Sequence, residues 1–165
     1  MKLYIASDHA GYDLKETLKN YLGELKYELE DFGPFVFDAN DDYPDFIKLA
    51  AGAVSRNLEG SMGIVLGGGG QGEAIVCNRF KGVRAAVFYG PRQAVSRVDI
   101  SGRESIDVYE QIRLAREHND ANILSLAARF VTPEEAKEAV KIFLDTKFSG
   151  DERHARRIKK IDEVK

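Results

Sequence analysis

Met62-Gly63-Ile64-Val65-Leu66, running straight into Gly67-Gly68-Gly69-Gly70-Gln71-Gly72-Glu73, is the stretch on which the fold turns. A continuous apolar run bounded by glycines suits a strand buried on both faces of a parallel sheet, and a helix is expected beyond the glycines. The turn between them exposes bare backbone N–H groups beside a helix N-terminus, which makes an anion site. Gly67, Gly69 and Gly72 also satisfy the G-x-G-x-x-G spacing of dinucleotide folds. Two features count against a dinucleotide: the unit is the third strand and helix of the chain, and Gly90-Pro91-Arg92, about 20 residues on, offers no acidic ribose ligand. A Walker A loop fails as well, because Glu73-Ala74 stands where Lys and Ser or Thr are required.

Working outward, Lys2 to Ser7 is strand-like, and Leu14, Leu18, Tyr21, Leu22 and Leu25 share one face of a following helix. Tyr27 to Glu30 alternates weakly. Gly33-Pro34 and the polar Asp38 to Asp42 form a loop before Pro44, which opens a helix carrying Phe46, Ala50, Ala53 and Val54 inward. Val83 to Phe88 repeats the buried-strand pattern, Ile106 to Glu117 reads as a helix, and Ile123 to Ala127 is a short apolar strand. Thr132-Pro133-Glu134-Glu135 supplies an N-cap, a first-turn proline and a glutamate at the third position. A charged helix over 152–163, with Ile158 and Ile161 docked, closes the chain. Strands alternating with helices define an α/β fold with a parallel sheet covered on both faces and ligands beyond the carboxyl ends of the strands.

With 165 residues, 44% of them hydrophobic, one compact domain over 1–165 is expected. A formal charge of -3 argues against a nucleic-acid binder or a polybasic membrane-surface protein. The single cysteine, Cys77, excludes an intrachain disulfide and a multi-cysteine zinc site, and no metal is expected. Neither a membrane span nor an export signal is evident, so a cytoplasmic protein is expected.

The residue types near the strand ends carry the chemistry. Asp8-His9 sets a carboxylate beside an imidazole after the first strand, although one such His is more often hydrogen-bonded scaffolding. His118-Asn119 lies close to the last strand and Arg129 follows it. Glu73, adjoining a ring of N–H donors, suits the abstraction of a proton from a carbon acid while an oxyanion develops nearby. Its plainer role is to complement a helix dipole. Cys77, one turn on, reads as a buried small apolar residue. Arg153 and Arg157, four apart, share a helix face and can grip a phosphate; the alternative is a solvated charged face.

Five motifs in order, Ser7-Asp8-His9-Ala10-Gly11, Asp42-Tyr43-Pro44, Gly67 to Glu73, Arg116-Glu117-His118-Asn119 and Arg153-His154-Ala155-Arg156-Arg157, resemble the type B ribose-5-phosphate isomerases and the related galactose-6-phosphate isomerases. The resemblance implies a Rossmann-like three-layer α/β/α sandwich with a five-stranded parallel sheet and a homodimer with shared active sites; pairing of dimers into tetramers is left open. It implies cofactor-free aldose-ketose isomerisation through a cis-enediolate, with ribose 5-phosphate and ribulose 5-phosphate the leading pair, within the pentose phosphate pathway. A six-carbon aldose 6-phosphate and a non-catalytic sugar-phosphate binder are the alternatives. Carried over, Asp8 binds the ring oxygen and hydroxyls, while His9, Arg129, Arg153 and Arg157 clamp phosphate. His118 with Asn119 resembles the family's ring-opening and hydroxyl-binding pair, and His118 would come from the partner subunit. Tyr43, Gly67, Gly68, Gly69, Gly70, Gln71 and Gly72 line the substrate. Gly67 stands where many members have a catalytic cysteine, so Glu73 marks the branch that uses a glutamate base. Gly69 replaces the usual Ser or Thr, and roughly Gly90 to Ile106 looks like an insertion.

Overall fold

The computed structural model describes residues 1–164. Its strands are β1 (Lys2–Ser7), β2 (Glu28–Asp31), β3 (Ser61–Gly67), β4 (Ala85–Phe88) and β5 (Ile123–Ala127). Its helices are α1 (Tyr12–Glu24), α2 (Tyr43–Arg56), α3 (Gln71–Cys77), α4 (Glu110–Asn119), α5 (Pro133–Asp145) and α6 (Glu152–Asp162), with a 3-10 turn at His9–Gly11. All five strands are parallel and lie in the order β2-β1-β3-β5-β4.

Alternation along the strands divides the core in two. Leu3, Ile5, Ile64, Leu66, Leu124 and Leu126 meet α1, α4 and α5, while Tyr4, Ala6, Val65 and Ile123 meet α2 and α3. The result is a Rossmann-like three-layer α/β/α sandwich, in which helices on both faces demand the apolar strand runs seen in the sequence. β3 is buried along its whole length. Among the described residues, no helix is long and apolar enough to cross a membrane.

Three expectations need correction. The strand expected from Val83 begins at Ala85, and its first three residues are only half-buried, because β4 is an edge strand flanked by β5 alone. The helix expected from Ile106 begins at Glu110; Asp107 turns the chain just before it by accepting from Tyr109 N at 2.9 Å, and Ile106 is left 87% exposed. In α6 His154 is buried and Ile158 is half-buried, whereas Ile161 is exposed. The capping box at Thr132 and Glu135 is formed as read. Residues 91–109 contain no strand or helix, and Arg92 N donating to Val108 O at 2.7 Å closes their base.

Candidate active site

The chain leaves β1 toward β2 on one side, while β3 is paired on the other, so the crevice between the carboxyl ends of β1 and β3 is the switch point where open α/β sheets bind ligands. Asp8, His9 and the glycine turn lie there. Asp8 caps the 3-10 turn by accepting from Gly11 N at 3.1 Å and is itself buried. Asp41, a residue the sequence treated only as loop, binds His9 twice: its Oδ1 accepts from His9 N at 3.1 Å and lies 2.7 Å from His9 Nδ1. That hydrogen bond, opposed by desolvation and helped by the charge of Asp8, holds the His9 imidazole above its usual range. Among the described residues, Asp41 Oδ2 is buried without a hydrogen-bond partner, which is uncommon for a carboxylate.

The glycine run is shaped by the side chains packed on it. The Glu73 carboxyl occupies the space that any side chain at position 67 would need, so Gly67 is what admits Glu73 to the end of β3. A Cβ at Gly68 would lie 3.2 Å from the Arg129 guanidinium, and one at Gly72 would lie 2.8 Å from the Tyr43 ring. Gly70 adopts φ 75°, a left-handed conformation that begins α3, and its carbonyl accepts from Ser125 Oγ at 2.7 Å. At Gly69 the Gln71 side-chain oxygen fills the place where a side chain would start. Asp8, His9, Tyr43, the loop from Gly67 to Gly72, Glu73 and Arg129 therefore form one site.

Glu73 is 4% exposed, and burial, with the Asp8 charge in support, pushes its carboxyl above the usual carboxylate range against the N–H groups of Glu73 and Gly70. A buried carboxylate of raised basicity is suited to accept a proton near neutrality. Burial pushes the Cys77 thiol up to about 12, with the Glu73 charge adding to it, so the thiolate is absent at neutral pH.

His118 and Asn119 lie elsewhere. They end α4, which leads into β5, so they are close to the last strand as expected but at the amino end of the strands, opposite the glycine turn. The five residues of β5, about 16 Å of strand, separate the two ends. His118 shares a cavity of about 550 Å³ with Arg153, Arg157 and His154, and its ring stacks on that of His154 at 4.1 Å with 12° between planes. Desolvation first, and then the neighbouring His154, lower the His118 pKa, which favours a neutral imidazole. The Asn119 carbonyl accepts from Arg84 Nε at 2.8 Å.

A sequence profile described as ribose/galactose isomerase matches residues 3–101 and 106–161. The chain belongs to that family. The break at 102–105 falls inside the segment expected as an insertion. Among family relatives, a probable ribose-5-phosphate isomerase B of Mycoplasma genitalium is 40% identical over 159 residues, covering 96% of this chain and 92% of that protein. The ribose-5-phosphate isomerase B of Mycobacterium tuberculosis is 37% identical over 158 residues, covering 96% and 86% respectively. The Mycoplasma genitalium enzyme with bound ribulose 5-phosphate superposes with a TM-score of 0.83 at 40% identity, covering 98% of this chain and 94% of that one.

Proposed function

We propose that this family member interconverts ribose 5-phosphate and ribulose 5-phosphate in the cytoplasm, within the pentose phosphate pathway, without a cofactor. The observation that carries the mechanism is the Glu73 carboxyl, buried against Gly67 within the glycine turn and beside Asp8. Glu73 removes the proton from C2 of the open-chain aldose and returns it at C1, while the hydroxyl proton on O2 passes to O1, so that the aldehyde becomes a hydroxyl and C2 a carbonyl. The turn's N–H groups and the helix end stabilise the cis-enediolate, an electrostatic contribution that is often the largest single factor in such sites. Asp8 receives the sugar hydroxyls, and His9, whose protonated form Asp41 favours, and Arg129 attract the phosphate.

His118, Arg153 and Arg157 cannot reach that turn in one chain, because the sheet stands between them. A two-fold dimer brings the amino-end cluster of one copy to the carboxyl-end site of the other, so that His118 opens the ring beside Asn119 and the α6 arginines complete the clamp. Neutral His118 can both accept and donate a proton in ring opening.

Exchange of the substrate C2 hydrogen with deuterated water tests the base. Glu73→Gln should slow exchange by roughly 10² to 10⁴, the contribution of general-base catalysis, while phosphate binding survives. Cys77→Ala should be nearly silent. Exchange that persists in Glu73→Gln but disappears in Cys77→Ala would transfer the base to the thiol.

A further inference from the structure

The cavity holding His118 has a wall that the proposed chemistry does not use. Residues 97–101, from the long connection between β4 and α4, line it together with α4 and α6. Three arginines line this one space: Arg153 and Arg157 from α6, and Arg97 from the connection. Among the described residues, no carboxylate lies within 4.0 Å of any of the three in an ion pair, although three acids line the same cavity.

Each of those acids is already engaged. Asp99 accepts from Ser101 N at 2.9 Å, Ser101 Oγ at 2.6 Å, Arg103 N at 3.2 Å and Arg103 Nε at 3.0 Å, which hold its carboxyl well below the usual range. Asp151 caps α6 by accepting from Arg153 N at 2.8 Å, and Glu117 faces Arg103 at 3.8 Å. Three arginines that line one space without a direct carboxylate partner keep guanidinium donors available to an incoming anion.

Arg97 is also held in place. Val98 N donates to Arg103 O at 2.8 Å, Gly102 N donates to Asp99 O at 3.2 Å, and Arg103 is tied to Glu110 of α4 at 2.7 Å, so the turn is closed and pinned to the helix. Gly102, at φ 86°, packs under the Arg97 side chain, with the site of a Cβ 3.5 Å from Arg97 Cδ. A planar fork presented by a closed turn suits a phosphate ester that is mostly dianionic at neutral pH.

We infer that Arg97 is a third phosphate-binding residue beside Arg153 and Arg157, supplied by the segment within which the family profile breaks, and that it sets the preference for phosphorylated over unphosphorylated sugars. This rests on the proposal that the cavity is the phosphate end of a sugar-phosphate site.

Calorimetric titration of the full-length protein with inorganic phosphate tests it, since that readout does not require turnover. Arg97→Ala should weaken phosphate binding roughly tenfold to a hundredfold, the range for a charge-assisted hydrogen bond, and Arg97→Lys should recover part of the loss. With ribose 5-phosphate, KM should rise more than kcat falls. If Arg157→Ala weakens phosphate binding while Arg97→Ala leaves it unchanged, the role of Arg97 is overturned and the isomerase proposal stands. If neither variant changes it, the clamp in the proposed function falls with Arg97.

Discussion

His9 and Asp41 illustrate how much of the site is decided by single atoms. A histidine after a strand is a weak signal by itself, and nothing in the polar stretch Asp38 to Asp42 singles out Asp41. The pairing becomes visible only when the fold brings positions 32 residues apart to 2.7 Å. The groups bearing on the His9 charge are Asp41 and Asp8, which favour it, and Arg129, which opposes it. Because the folded pKa of His9 is raised, the imidazolium, and its attraction for phosphate, is present at low pH and lost as pH rises through that raised value. Asp41→Asn should therefore move the loss of phosphate affinity to lower pH, as read by titration across pH 6 to 9 with the His9 resonances followed in parallel. The same linkage predicts that Asp41→Asn costs most stability below the unfolded histidine value of about 6.5 and least above the folded one. A phosphate-binding profile identical to wild type would remove Asp41 from the site.

Among the elements, legibility followed periodicity and capping. β3, β5 and α5 were readable because an apolar run and a Thr-Pro-Glu-Glu start describe what the backbone does there. The apolar run from Val83 overstates β4, since an edge strand and a central one look alike until the pairing order is known. Hydrophobic spacing starts α4 too early because the hydrogen bond from Tyr109 N to Asp107 competes with helix over 106–109, a contest that spacing does not report. The α5 cap bears on function too, since the turn of 128–132 that it anchors carries Arg129 across Gly68. Thr132→Ala removes the hydroxyl that accepts from Glu135 N at 3.2 Å and should lower stability by about 1 kcal/mol in chemical denaturation, with an unchanged denaturant slope. A loss below a few tenths would mean that tertiary packing alone fixes this turn.

At the scale of the whole molecule, the glycine turn and Glu73 were legible because strand, turn and helix are contiguous, whereas His118 could not be placed from its neighbourhood in sequence. It is close to β5 along the chain yet at the opposite end of the sheet from Glu73, and no rearrangement of loops joins the two ends through a packed core. The proposed shared dimer site would account for this, and it makes a quantitative demand. Glu73→Gln and His118→Ala should each be impaired as homodimers, one lacking the proposed base and the other the proposed ring-opening group. A mixed dimer has one site built from the intact Glu73 of one copy and the intact His118 of the other, and a second site carrying both defects. With equal amounts and free exchange, half of the dimers are mixed, so about a quarter of wild-type activity should return. Activity no higher than the average of the two parents, in a preparation shown by native mass spectrometry to contain the mixed dimer, would place Glu73 and His118 in sites that do not cooperate across the interface.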